Sequence, residues 1–292
     1  MFSFTSGDGL TVHVHAWVPD GPLRGLVQIS HGMGEHALRY APLAADLNAR
    51  GYAVYANDHR GHGATMHAGP GVLGEDGWNR LVADVAALSR LLRERHPGLP
   101  LVLLGHSLGS FAAQQYLLDH PGLADGVALS GTTAVDLLLV DLARRGTDPL
   151  TALNAPFQPA RTPADWISRD EAQVDAYLAD PLCGFALDAE GMDGLTAAAM
   201  GRLANPFGVL RDTPVYVLVG DRDPLNQRLA FSDQLVERYR EAGVADLVYR
   251  VYDGARHELF NETDRDRDLV VADLLDWIHR VTVRHLDPYG AR

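Results

Sequence analysis

Three residue types that together perform nucleophilic catalysis follow one another along this chain. Ser107 lies in the segment GHSLG (105–109), which fits the pattern G-x-S-x-G. Two aspartates follow in GDRDP (220–224), and His257 follows in GARHE (254–258). A serine hydroxyl is a weak nucleophile at neutral pH and needs a general base, which a carboxylate must orient. This order predicts a triad with Ser107 as nucleophile, His257 as base and either Asp221 or Asp223 as the acid.

Each of these residues directly follows a predicted strand. Apolar runs over 101–104, 215–219 and 247–251 precede the serine, the aspartates and the histidine, respectively. A helix is predicted over 111–118, so that the serine lies on a sharp strand-to-helix turn that exposes its side chain. The carboxyl ends of parallel strands meet at one edge of a sheet, which would bring the three side chains together.

The rest of the chain alternates between predicted strands and helices. The strands lack a clear period of two, which is typical of strands buried on both faces of a parallel sheet. A hairpin is predicted at Gly7-Asp8-Gly9 between the first two strands. Further strands are predicted over 2–5, 10–18, 26–30, 52–57 and 127–130, and further helices over 41–50, 81–95, 229–241 and 269–281.

One region interrupts this alternation and predicts an insertion. Residues 132–211 contain short helix-like segments and no convincing strand, so we expect a helical cap there, with the core formed by 1–131 and 212–292. Such a cap would lie above the carboxyl ends of the strands. The mostly apolar segment Val135–Leu142 would line an acyl pocket, rest on lipid aggregates, or simply pack on the domain beneath.

Composition excludes several classes of function. The 292 residues carry a net charge of -13, which disfavours nucleic acid and anionic membrane surfaces as partners. All 25 basic residues are arginine, so that lysine-dependent chemistry is excluded, and the single cysteine, Cys183, cannot form an internal disulfide. We expect Cys183 to be a buried or half-buried thiol. With no apolar run of membrane-spanning length and no signal segment at Met1, the expected location is cytoplasmic.

Two other patterns invite different interpretations. The segment HGMGEHA (31–37) contains G-x-G-x-x-A after a strand, and Asp58 ends the next strand, as in a dinucleotide-binding fingerprint. That interpretation is disfavoured because a hairpin precedes the strand and because it leaves G-x-S-x-G unexplained. A metal site at His59, His62 and His67 is disfavoured by the lack of a further ligand at suitable spacing. The charged run 264–268 predicts a solvated helix start.

Taken together, the motifs resemble the α/β-hydrolase fold, and more narrowly its monoacylglycerol lipase and lysophospholipase-like branch. The similarity extends over nearly the whole chain. The matching segments are HGMGEH (31–36) with Arg39-Tyr40, DHRGHG (58–63), GHSLG (105–109), SRD (168–170) with Tyr177, DPL (180–182), GDRDP (220–224) and GARHE (254–258).

The resemblance implies roles for further residues. It favours Asp223 over Asp221 as the acid and assigns the oxyanion hole to the backbone N–H groups of Met33 and Leu108. Glu35, His36 and Arg39 would hold the oxyanion loop, and Tyr177 would face the alcohol part of the substrate. The sequence departs from the family's frequent Gly-Gly after the elbow, with Ser110 in the second position.

The expected activity is hydrolysis of monoacylglycerols, lysophospholipid-type esters or other short- to medium-chain acyl esters, with no metal or organic cofactor. The expected partner is a small-molecule or lipid ester, with at most transient contact with lipid surfaces. The same triad would also serve a thioesterase, peptidase, perhydrolase or acyltransferase, and a non-catalytic binding protein of this fold is a further alternative. The sequence leaves the oligomeric state open.

Overall fold

Eight strands form a single sheet in the computed structural model, which describes residues 1–146, 149–208 and 211–286. Their spatial order is β1-β2-β4-β3-β5-β6-β7-β8, and β2 pairs antiparallel with both β1 and β4. All other neighbours pair in parallel. The strands are β1 Phe2–Thr5, β2 Thr11–Trp17, β3 Gly25–Ser30, β4 Tyr52–Asn57, β5 Leu101–His106, β6 Gly126–Ser130, β7 Val215–Gly220 and β8 Leu247–Tyr252.

Helices cover both faces of the sheet, and every residue of β3 to β7 is therefore buried. The helices are α1 Ala41–Asn48, α2 Gly77–Arg95, α3 Leu108–Asp119, α4 Val135–Arg145, α5 Pro149–Asn154, α6 Glu171–Ala179, α7 Ala189–Ala198, α8 Ala230–Glu241 and α9 Asp264–Leu286. Apolar side chains of α1 and α9 pack on one face, and those of α2, α3 and α8 pack on the other. The continuous apolar strands of the sequence reflect this double coverage.

Four helices, α4 to α7, lie between β6 and β7, and the described residues of that segment contain no strand. Leu138 of α4 and Leu195 of α7 are buried in the same hydrophobic cluster as side chains of α2 and α3. The segment therefore packs through apolar side chains against α2 and α3, which cover one face of the sheet. The boundaries of this segment with the core, at residues 131 and 212, stay a prediction. Residues 147, 148, 209, 210 and 287–292 lie outside the described part of the chain.

The helices differ from their predicted limits mainly at their first turns. Helix α3 begins at Leu108 rather than at residue 111, because the small residues Gly109 and Ser110 are accommodated in its first turn. Helix α9 begins at Asp264, so that the charged run 264–268 forms its first turn. This run is only partly exposed to solvent, because Arg267 pairs with Asp46. Within the described residues, no helix combines the length and apolar character needed to cross a membrane.

Candidate active site

Ser107 occupies a strained turn between β5 and α3. Its backbone has φ 51° and ψ -123°, a conformation that a non-glycine residue adopts only when its surroundings enforce it. The flanking glycines are required by close packing: a Cβ on Gly109 would lie 2.0 Å from the carbonyl oxygen of Ser30, and one on Gly105 would lie 2.5 Å from that of Gly109. The Ser110 hydroxyl donates to the Ser107 carbonyl at 2.6 Å, which further fixes the turn. The turn presents a partly exposed serine side chain.

His257 and Asp223 form a hydrogen-bonded pair at the same edge of the sheet. Nδ1 of His257 lies 2.9 Å from Oδ2 of Asp223, and both side chains are almost fully buried. The other oxygen of Asp223 accepts the Leu225 N–H at 3.0 Å, which fixes the carboxylate. Asp221 points elsewhere and accepts the Gly254 N–H at 2.7 Å. Of the two candidate acids, the structure brings Asp223 to the histidine.

The second ring nitrogen of His257 is free. Nε2 is buried and has no hydrogen-bond partner among the described residues. It is therefore the one atom of the pair that could accept a proton from the serine, whose hydroxyl makes no hydrogen bond to it here. The His257 ring lies 4.8 Å, between centroids, from that of His106, the residue before the serine. Such catalytic contacts often tighten only when substrate binds.

The electrostatic surroundings favour the protonated form of His257. Burial by itself lowers the pKa of this imidazole, but the negative charges of Asp223, Glu258 and Glu35 outweigh burial and leave the pKa raised above its usual value of 6.5. A base with a raised pKa accepts a proton more readily while remaining neutral at mildly alkaline pH.

Two backbone N–H groups beside Ser107 have no partner among the described residues. They belong to Leu108, the first residue of α3, and to Met33, in the loop after β3. Gly32 and Gly34, on either side of Met33, donate instead to Oε1 of Glu35 and Nε2 of His62. Unpaired donors at a helix N-terminus and in a fixed loop are suited to stabilise a developing oxyanion.

A buried ion network holds the oxyanion loop against the histidine loop. Arg39 donates to Glu35 at 2.8 Å and, through two nitrogens, to both oxygens of Glu258 at 2.7 Å. Tyr40 donates to Glu35 at 2.8 Å. The charge of Arg39 helps to lower the pKa of Glu35 to about 2 despite its burial, which by itself raises it. Glu35 is therefore held in its ionised form, and the contacts of Arg39 with both carboxylates fix the residues next to Met33 and His257.

An apolar cavity of about 290 Å³ opens on Ser107. Met33 and Leu108 also line it, together with leucines of α4 and residues of α7. None of the described residues that line it has a charged side chain. The remaining lining residues are Phe111, Leu138, Leu139, Leu142, Pro149, Leu150, Leu153, Trp166, Tyr177, Phe185, Ala186, Leu187, Met192, Leu195 and Leu225. The serine is thus placed at the surface of a site suited to an acyl chain.

Comparison with known proteins places this geometry in a family. The family described as serine aminopeptidase, S33, matches residues 21–264. A monoacylglycerol lipase of Mycolicibacterium smegmatis is 33% identical over 282 residues, which cover 94% of this chain and 95% of that protein. The chain belongs to the S33 family of α/β-hydrolases. The fold class and the family resemblance predicted from the sequence are thereby confirmed.

Two further relatives agree with this assignment to the α/β-hydrolases. A human monoglyceride lipase is 29% identical over 293 residues, which cover 95% of this chain and 89% of that protein. A carboxyl esterase from Bacillus coagulans, solved in complex with glycerol, has a TM-score of 0.81 and 30% identity, and the match covers 96% of this chain and 98% of that one.

The structure of this S33 hydrolase removes the competing interpretations of the glycine and histidine motifs. Asp58 is buried and accepts the N–H groups of Ala37 at 2.9 Å and Ala64 at 2.8 Å, so it is not available to a ribose. Nε2 of His62 accepts from Gly34, and Nε2 of His59 lies 3.1 Å from the carbonyl oxygen of His31. These histidines support the backbone of the oxyanion loop, and burial lowers their pKa values.

The cap segment touches the site of this α/β-hydrolase at points that no sequence motif marked. The Trp166 ring lies 4.9 Å from the His257 ring, and the carbonyl oxygen of Ile167 accepts the Glu258 N–H at 2.7 Å. Tyr177 lines the apolar cavity, and the Arg39 guanidinium lies 4.9 Å from the centre of its ring. In the sequence, the tryptophan just before the SRD segment was only weak evidence for a contact with the site, because tryptophans are also common in protein cores.

His36 and Cys183 lie at the contact between the oxyanion loop and the cap segment. Nε2 of His36 bonds Oδ2 of Asp180 at 2.9 Å. The thiol of Cys183 is near both, with all three ligand-type atoms within 4.8 Å of one another. Because His36 and Asp180 bond each other directly, the cluster reads as a structural link. Cys183 is half-buried, as expected, and burial raises its pKa to about 12.

Proposed function

We propose that this protein hydrolyses carboxylic esters through an acyl-enzyme formed on Ser107. The observation that carries the proposal is the His257–Asp223 hydrogen bond of 2.9 Å, which leaves Nε2 of His257 as the free nitrogen. Ser107 lines an apolar cavity that suits an acyl chain. Relatives named monoacylglycerol lipase and carboxyl esterase support the ester chemistry.

The reaction would proceed in two balanced steps. Nε2 of His257 takes the Ser107 proton while the oxygen attacks the ester carbonyl, and the N–H groups of Met33 and Leu108 hold the resulting oxyanion. The protonated His257 then gives its proton to the leaving alcohol, and the acyl group remains on the serine. In the second step His257 activates water, the acid is released and the serine regains its proton. General-base catalysis contributes about 10²–10⁴ in rate, and each oxyanion donor about 3–4 kcal/mol.

Asp223 would act through His257 rather than on the substrate. Its bond to Nδ1 keeps that nitrogen protonated, so that Nε2 carries the lone pair needed by the base. Its charge also stabilises the imidazolium formed during attack. Asp221, tied to the Gly254 N–H, would serve only to join the two loops.

The apolar cavity favours monoacylglycerols and short- to medium-chain esters as substrates. Its size, about 290 Å³, suits one acyl chain, and its aliphatic lining would be covered by that chain. We propose that Tyr177 borders the alcohol part, because it is one of the few described lining residues that carry a polar group. An aminopeptidase needs an acidic side chain to hold the substrate's ammonium group, and none of the described residues that line this cavity carries a carboxylate.

A substrate panel tests the proposal. We expect turnover of p-nitrophenyl butyrate, octanoate and laurate and of 1-monoacylglycerols of the same chain lengths, retained in excess EDTA. Alanine and leucine p-nitroanilides should react at least about 10³-fold more slowly, because the site offers no partner for the ammonium group. Faster turnover of the anilides than of the esters would assign the protein to the peptidases instead.

A further inference from the structure

A second, larger cavity of about 600 Å³ lies beside the loops that follow β7 and β8. Five arginines line it, and we call it the arginine cavity: Arg145, Arg169, Arg222, Arg228 and Arg256. Two of these come from the cap segment and three from the sheet loops. Among the described residues, none lines both this cavity and the apolar cavity that opens on Ser107.

The arginine cavity carries more positive than negative charge. Its lining includes two carboxylates, Asp221 and Asp223, and both are engaged by hydrogen bonds to Gly254 and His257. Within a molecule of net charge -13, this is a local reversal of sign. A cleft with an excess of one sign of charge concentrates ions of the opposite sign.

Two of the five arginines are neutralised by neighbouring carboxylates. Arg169 lies 2.9 Å from Glu262 and also contacts Asp266, while Arg145 lies 2.6 Å from Asp141. These ion pairs fix the walls of the cavity and leave little free charge on them.

The side chains of the other three arginines make no hydrogen bond to a carboxylate among the described residues. Arg222 comes no nearer than 3.9 Å to Asp221, and Arg228 makes no hydrogen bond or ion pair with any residue that the structure describes. Arg256 donates to two backbone carbonyls, that of Ser168 at 3.0 Å and that of Asp165, and leaves its other nitrogens free. Three guanidinium groups in one cavity thus retain unused donors.

Local structure fixes the guanidinium of Arg256 and the backbone that carries Arg228. The guanidinium of Arg256 stacks 4.4 Å above the centre of the Phe157 ring, another lining residue. Gln227, Arg228 and Leu229 all have positive φ angles, of 44°, 56° and 76°, and Gln227 is anchored to Asp141 at 2.8 Å. Three consecutive non-glycine residues in this region are unusual, and such strain persists only where the surroundings enforce it.

We propose that the arginine cavity binds a phosphate monoester. Three guanidinium groups with free donors match a dianion with several equivalent oxygens better than a single carboxylate, and arginine binds phosphate through paired N–H groups. A small anion fits the cavity, whereas a long polyanion would be repelled by the acidic remainder of the molecule. Since Asp223 and Pro224 line the cavity, the bound group would lie directly behind the acid that orients His257.

Calorimetric titration with inorganic phosphate at constant ionic strength tests this proposal on the intact chain. We expect saturable binding that chloride does not reproduce. The double variant Arg222→Gln/Arg228→Gln should bind phosphate about ten- to hundredfold more weakly, because it loses charge-assisted hydrogen bonds. The control Arg240→Gln/Arg284→Gln makes the same change in net charge at exposed sites outside the cavity and should bind as the parent does.

Protection from phenylglyoxal, which modifies arginine, gives a second measurement that requires no variant. Phosphate should slow modification of Arg222 and Arg228, as read by mass spectrometry, and leave Arg240 unaffected. Glycerol 3-phosphate and vesicles of phosphatidylcholine with phosphatidic acid then distinguish a soluble phosphate monoester from a lipid headgroup. Any of three results would overturn the proposal. Phosphate could bind no more tightly than chloride, both double variants could bind it equally weakly, or phosphate could protect Arg222, Arg228 and Arg240 to the same extent. None of these results depends on ester hydrolysis.

Discussion

Replacing Arg39 by methionine removes the cation that two buried carboxylates share. The side chain is 11% exposed, and those of Glu35 and Glu258 are 4% and 7% exposed. Its guanidinium makes three hydrogen bonds of 2.7–2.8 Å to them. Methionine has similar length and no donor, so the variant leaves both carboxylates in place without their shared partner.

The expected loss of stability is large because the charges are buried. Removing one partner of a buried ion pair costs about 3–5 kcal/mol, whereas an exposed pair contributes about 0–1 kcal/mol. A matched control is Arg240→Met, since Arg240 is 59% and its partner Glu237 is 54% exposed. Urea unfolding should therefore show a loss of about 3–5 kcal/mol for Arg39→Met and at most about 1 kcal/mol for Arg240→Met.

The same substitution should move the pH dependence of activity. Glu258 and Glu35 both raise the pKa of His257, and Arg39 partly offsets their charge. Without Arg39 the pKa of His257 should rise further, which shifts the acidic limb of kcat/KM for p-nitrophenyl butyrate to higher pH. An unshifted limb together with equal stability losses in the two variants would refute this account of the network.

Three further predictions concern the site itself. The pKa of His257 is raised above 6.5, and only the neutral imidazole acts as a base. At pH 6.5 the kcat/KM of the parent should therefore be less than half of its alkaline plateau, and a pH profile whose acidic limb is centred below 6.5 would contradict this. Asp223→Asn should lower kcat for p-nitrophenyl butyrate by about 10⁴, as expected for loss of the orienting acid. Asp221→Asn should lower the same kcat by less than tenfold, and equal effects of the two substitutions would contradict the assignment of Asp223 as the acid. Leu138→Trp should narrow the acyl cavity and lower kcat/KM for the laurate ester about tenfold or more relative to the butyrate ester, while Leu137→Trp, on the same helix but outside the cavity, should not change that ratio.

The strands of the sheet and the order of the catalytic residues along the chain were predictable, because both depend on local sequence features and on hydrophobic periodicity. Continuous apolar runs marked the strands of the parallel sheet, and Gly105 and Gly109 marked the turn at Ser107. The placement of Asp223 and His257 after β7 and β8 followed from the alternation of strands and helices. The residues alone left Asp221 and Asp223 as alternatives, because the choice depends on how the two loops cross in space, and only the family resemblance favoured Asp223.

Contacts between distant segments could not be predicted. The bond between Arg39 and Glu258 joins residues 219 positions apart, and the contact of Trp166 with His257 depends on how the cap segment folds over the sheet. The arginine cavity has the same origin, since its arginines are scattered from 145 to 256 and show no pattern. The limits of helix α3 were missed because Gly109 and Ser110 have low helix propensity, which packing overrides.

Mass spectrometry of the protein treated with a fluorophosphonate tests the role of Ser107 most directly. We predict a single adduct, on the peptide that contains Ser107, with no adduct in Ser107→Ala and much slower labelling in His257→Ala. Ester turnover by Ser107→Ala should fall by about 10⁶ in kcat if the triad acts as a unit. Folded protein that remains unlabelled, or that carries the adduct on another residue, would contradict the assignment of the nucleophile.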